Sequence, residues 1–118
     1  MKKTAVGRAK ARLMLSLSLL AGAVCASPGK QTFTGVITDS MCANGDHSAM
    51  RMGPTDAECT TACVSAHGAL YVLYTGKETW ELSDQKTPEK FAGRKVRVTG
   101  TPDAKKHSIQ VDSIEAAK

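Results

Sequence analysis

The chain has 118 residues, and 16 Lys and Arg against 11 Asp and Glu give it a formal net charge of +5. Five of the basic residues lie in the first dozen positions, where there is no acidic residue: Lys2, Lys3, Arg8, Lys10 and Arg12. In the rest of the chain, 11 basic residues balance 11 acidic ones. Because the excess positive charge is confined to the first dozen residues, it does not indicate that the domain binds nucleic acid or an anionic membrane.

Residues 1–26 have the features of a secretory signal peptide. The basic start is followed by an apolar run at residues 13–24 that is too short to span a bilayer comfortably. Small residues around Ala26 suit cleavage after that position. We therefore predict a periplasmic or secreted protein with no membrane span. Cys25 leaves open the attachment of a lipid, although Val24 stands where a bacterial lipoprotein signal has a small residue.

Residues 27–118 predict one small, mainly β domain. Alternating or β-branched apolar residues predict five strands, at residues 32–39, 69–74, 78–83, 95–99 and 108–114. A helix is predicted between the first two strands. Because closing a sheet removes its exposed edges, we expect a five-stranded barrel. From the alternation we expect its core to contain Val36 or Ile37, Leu70, Val72, Trp80, Leu82, Val96, Val98, Ile109 and Val111.

The pattern of predicted strands and helix resembles an oligonucleotide/oligosaccharide-binding (OB) barrel. The likeness is carried by FAGRKVRVTG at residues 91–100, followed by Ile109-Gln110-Val111. It covers most of residues 27–118 and implies an OB-like barrel. The basic residues Arg94, Lys95 and Arg97 flank inward-facing valines, a pattern typical of a solvated strand face. We therefore expect no nucleic acid partner.

The inserted helix is predicted from its capping pattern. Thr55 followed three residues later by Glu58 is typical of a capping box, and Gly68 is a suitable stop. Cys59 and Cys63 then lie at i and i+4, with their side chains on one helix face. Paired ligands on metalloprotease helices hold zinc at this spacing. His67 continues the same spacing, although a role at the helix end is the simpler interpretation.

The loop before the helix adds two further candidate ligands, Cys42 and His47. Gly45 and Gly53 allow this loop to fold back over the helix. Three thiolates and one imidazole, from Cys42, His47, Cys59 and Cys63, would complete a tetrahedral zinc site. If Met50 or Met52 joined them, the set would become softer and would suit monovalent copper.

The cysteines also allow two other interpretations. A disulfide from Cys42 to Cys59 or Cys63 would stabilise the domain by roughly 3 kcal/mol, but it would leave one thiol over and His47 unexplained. Thiol redox chemistry is opposed by the Cys-x3-Cys spacing, which differs from the Cys-x-x-Cys of thioredoxin-like proteins. Our first hypothesis is a non-catalytic module that binds zinc or copper. The second is a disulfide-stapled module with a sugar, peptide or protein partner, and the third is a thiol-redox protein.

One further resemblance concerns the cysteine-rich segment. Asp39-Ser40-Met41-Cys42, then His47, then Cys59-Thr60-Thr61-Ala62-Cys63 is similar to a family of small exported bacterial proteins of unassigned function. That family has the pattern Asp-Ser-x-Cys, His, Cys-x3-Cys. The resemblance implies that Cys42, His47, Cys59 and Cys63 act together. It implies no reaction, and His67 is outside the pattern.

Overall fold

The computed structural model describes residues 29–118, so the predicted signal peptide and Cys25 lie outside the described residues. The elements, in chain order, are strand β1 (Gln31–Asp39), helix α1 (Asp56–His67), β2 (Tyr71–Tyr74), β3 (Thr79–Leu82), a 3₁₀ helix (Thr87–Phe91), β4 (Lys95–Asp103) and β5 (Ser108–Ala116). The prediction of a mainly β protein with five strands, and with a helix between the first two, is confirmed. Within residues 29–118, no helix has the length and apolar character needed to cross a bilayer.

The five strands form one sheet in the order β1-β2-β3-β5-β4, and β4 also pairs with β1, so the sheet closes on itself. Four of the pairings are antiparallel, and the β3–β5 pairing is parallel. The strand β4 is longer than the predicted range of residues 95–99: it continues to Asp103, and Pro102 pairs with Ile109 of β5. Helix α1 packs against β1. The candidate ligands therefore lie where β1 ends and α1 begins.

The core shows that the prediction chose the wrong face of β2 to point inward. Tyr71 and Leu73 belong to the main core, whereas Leu70 is 39% exposed and Val72 is buried outside that cluster. The other members are Ile37, Trp80, Leu82, Ala92, Val96, Val98 and Ile109, and Val111 packs against them as a partly buried residue. The Gln85 side chain fixes the start of β2: its Oε1 accepts the Tyr71 N–H at 2.8 Å and its Nε2 donates to the Tyr71 carbonyl at 2.9 Å.

Candidate metal centre

Helix α1 has the ends that the sequence predicts. The Thr55 hydroxyl oxygen accepts the Glu58 N–H at 3.2 Å, and the Glu58 carboxylate accepts the Thr55 N–H at 3.1 Å, which completes the capping box. Gly68 ends the helix in the left-handed region, at φ 67°, and its N–H donates to the Cys63 carbonyl. These caps fix the position of Cys59 in the first helical turns.

The loop folds back onto the first turn of α1, and Gly53 allows the close approach. A Cβ at Gly53 would lie 2.7 Å from the Glu58 Cβ, so a larger residue would push the loop away from the helix. Cys59 anchors the loop through two hydrogen bonds. Its Sγ accepts the Met52 N–H at 3.4 Å, and its thiol donates to the Met50 carbonyl at 3.2 Å.

The end of β1 holds Cys42 in place through hydrogen bonds with two of its residues. One carboxylate oxygen of Asp39 accepts the N–H groups of Met41 and Cys42, each at 3.0 Å. The Thr38 hydroxyl donates to the Cys42 carbonyl at 2.8 Å. Because Thr38 and Asp39 are themselves buried at the end of β1, the sheet fixes the position of Cys42.

Three of the four predicted ligands come together. One ligand atom from each of Cys42, His47 and Cys59 lies within 4.8 Å of the other two, and the three residues are only 6%, 5% and 0% exposed. The His47 Nδ1 is buried and has no hydrogen-bond partner among the described residues. A buried polar atom without a partner costs free energy, and a bound cation is one way to satisfy it.

The remaining candidate residues lie around this set. Cys63 is fully buried one turn further along α1, but it is not part of the set that lies within 4.8 Å. His67 is the last residue of the helix and is exposed. Met50 and Met52 are 44% and 39% exposed, so they are surface residues of the loop.

The predicted disulfide is not found. Cys42, Cys59 and Cys63 are free thiols in the described part of the chain. The Cys59 thiol is engaged in a hydrogen bond to the Met50 carbonyl instead of a bond to another sulfur. The proximity of Cys42 to Cys59, which the disulfide interpretation also required, is present.

Burial and a neighbouring carboxylate act on two of the thiols. Burial, followed by the charge of Asp39, raises the pKa of the Cys42 thiol above its usual value of 9.0. The same two causes raise the pKa of Cys63 to about 11. Both thiols are therefore protonated at neutral pH, and a metal ion has to displace a proton from each thiol that it binds.

The raised pKa of Cys63 predicts a loss of stability at alkaline pH. The folded state keeps this proton up to about pH 11, whereas the unfolded chain releases it near the usual pKa of 9.0. The free energy of unfolding should therefore fall as the pH rises from about 9 to about 11. Thermal melts of the metal-free protein across this range would measure the fall, and Cys63→Ser should reduce the slope. Equal slopes in the two proteins would contradict the prediction.

Asp39 is a site residue whose role the sequence interpretation missed. It is fully buried; one of its carboxylate oxygens accepts the two backbone N–H groups, and Oδ2 has no partner among the described residues. A carboxylate that bonds the backbone N–H groups two and three residues ahead is a common turn device, so an Asp at a strand end before a Cys was the available signal. Its negative charge beside the thiols favours a cation at this site.

The fold and site define a small, mainly β protein with a buried Cys₂His cluster, and comparison with known proteins adds a partial family likeness. Residues 64–117 match the model of a family described as a protein of unknown function, DUF5818. The matched stretch begins directly after Cys63. It therefore contains β2 to β5 but none of the three clustered ligands. No curated protein and no solved structure matches the chain.

Proposed function

We propose that the chain is an exported, non-catalytic module that binds a soft or borderline metal ion, zinc or copper. The observation that carries the proposal is the buried set of Cys42, His47 and Cys59, whose ligand atoms lie within 4.8 Å of one another. The unpartnered His47 Nδ1 and the Asp39 carboxylate support a cation as the missing partner. Two sulfurs and one nitrogen are ligands that both zinc and copper accept.

A tetrahedral zinc site needs a fourth ligand, and Cys63 would supply it. Its thiol is fully buried and interacts with that of Cys59, so Cys63 lies next to the clustered ligands. A site with four protein ligands, buried from solvent, is typical of structural zinc and leaves no open position for a substrate. This favours binding over catalysis.

The proposed location and fold have separate support. The basic start and short apolar run of residues 1–26 favour export to the periplasm or beyond. The closed order of five strands, with α1 between β1 and β2, favours an OB-like barrel. The metal site would then lie beside the barrel, on the inserted helix and the loop before it.

The test is a set of thermal melts on the purified protein. Zinc added at about 100 times its dissociation constant should stabilise the fold by about 2.7 kcal/mol. A chelator added to the zinc-loaded protein should reverse the gain, whereas a reductant alone should leave the melting temperature unchanged. A lower melting temperature with reductant, together with no response to zinc or chelator, would contradict the proposal and favour a disulfide-stapled module.

A further inference from the structure

Three exposed methionines are chain neighbours of the buried ligands or are hydrogen-bonded to them. Met41, Met50 and Met52 are 46%, 44% and 39% exposed, and they are all the methionines of residues 29–118. We call these three residues the methionine rim. Methionine usually fills gaps in an apolar core, so a group of three in solvent is not explained by packing.

Each clustered ligand is either next to a rim residue in the chain or hydrogen-bonded to the backbone of one. Met41 is the chain neighbour of Cys42. The Met50 N–H donates to the His47 carbonyl at 3.3 Å, and the Met50 carbonyl accepts the Cys59 thiol. The Met52 N–H donates to the Cys59 sulfur. The rim therefore shares the backbone scaffold of the buried set, and its side chains are exposed to solvent.

The chemistry of the rim separates the two candidate metals. A thioether is a soft, neutral ligand that selects monovalent copper, whereas zinc is bound by thiolate, imidazole and carboxylate. A flexible thioether can hold a copper ion at the surface without losing a proton. Arg51 lies between Met50 and Met52 in the chain. Its guanidinium is paired with the Asp56 carboxylate at 3.3 Å, which reduces its repulsion of an incoming ion.

We infer that the buried set takes monovalent copper and that the methionine rim captures this ion at the surface and passes it to Cys42, His47 and Cys59. The inference rests on the proposed metal-binding function and names its metal and its route. The copper stays monovalent throughout, so the transfer is an exchange of thioether ligands for thiolate and imidazole ligands, and each thiol that binds the ion releases its proton to solvent.

The experiment uses the purified protein without oxygen, with monovalent copper supplied as its coloured bicinchoninate complex. The variant replaces all three rim residues, Met41→Leu, Met50→Leu and Met52→Leu, which keeps their size and apolar character. We expect the variant to take copper from the complex about 10-fold more slowly than the wild type, by analogy with the roughly 10- to 100-fold losses of metal affinity or activity that follow changes to groups around a metal site. The zinc affinity of the variant should equal that of the wild type, which shows that the fold and the buried set are intact.

The outcomes separate this inference from the proposed function. Equal copper uptake by the variant and the wild type would overturn the role of the rim. Binding of zinc but not of monovalent copper would overturn the whole inference while leaving the proposed function standing. Binding of neither metal would overturn both.

Discussion

Replacing Cys59 by serine should lower the affinity for zinc by more than about 100-fold. Changes to groups that only support metal ligands already cost about 10- to 100-fold, and Cys59 is placed to contact the ion itself. Its sulfur lies within 4.8 Å of ligand atoms of both Cys42 and His47, so its loss would leave only two of the three clustered ligands. His47→Ala should have a similar effect. Competition with a chromophoric zinc chelator would measure both.

Two further variants on the same helix accompany this prediction, one as a control and one as a test of the fourth ligand. His67→Ala changes an exposed histidine at the end of α1 and should leave the zinc affinity unaltered. Cys63→Ser tests whether the predicted fourth ligand is used. A loss with Cys63→Ser as large as that with Cys59→Ser would add Cys63 to the ligand set. Unchanged affinity in both Cys59→Ser and His47→Ala would place the metal elsewhere.

Leu73→Ala should lower the free energy of unfolding by about 2–5 kcal/mol, because it removes a fully buried side chain from the main core and leaves a cavity. Denaturant unfolding of the metal-free protein would measure the loss. The matched control is Leu70→Ala, in which a side chain that is 39% exposed is shortened. Its cost should be near 0.5 kcal/mol. The opposite ranking would mean that β2 presents its other face to the core.

The helix was predictable because its signals are local. Thr55 and Glu58 bond each other across one turn, and Gly68 ends the helix through its own backbone conformation. The face of β2 was not predictable in the same way. Residues 69–74 are apolar at every position, so alternation could not choose between Leu70 and Leu73, and the choice depends on the distant Gln85 side chain.

The site was predictable in part for a similar reason. Helical spacing placed Cys59 and Cys63 on one face, and loop glycines indicated that Cys42 and His47 could return to it. The spacing could not show that Cys59, rather than Cys63, faces the loop ligands, because that depends on how the loop bonds to the Cys59 sulfur. The buried position of Asp39 depends on the packing of α1 over the end of β1, which no local pattern encodes.

The short distance along the chain between the clustered ligands affects the entropy of assembling the site. Cys42 and Cys59 are 17 positions apart, whereas Gln31 and Gly100, which pair where β1 meets β4, are 69 positions apart. Because loop-closure entropy grows with the logarithm of loop length, bringing the two cysteines together costs about 1 kcal/mol less than closing the sheet. Closing the sheet therefore costs more loop entropy than assembling the candidate metal centre, which forms within one local loop of the chain.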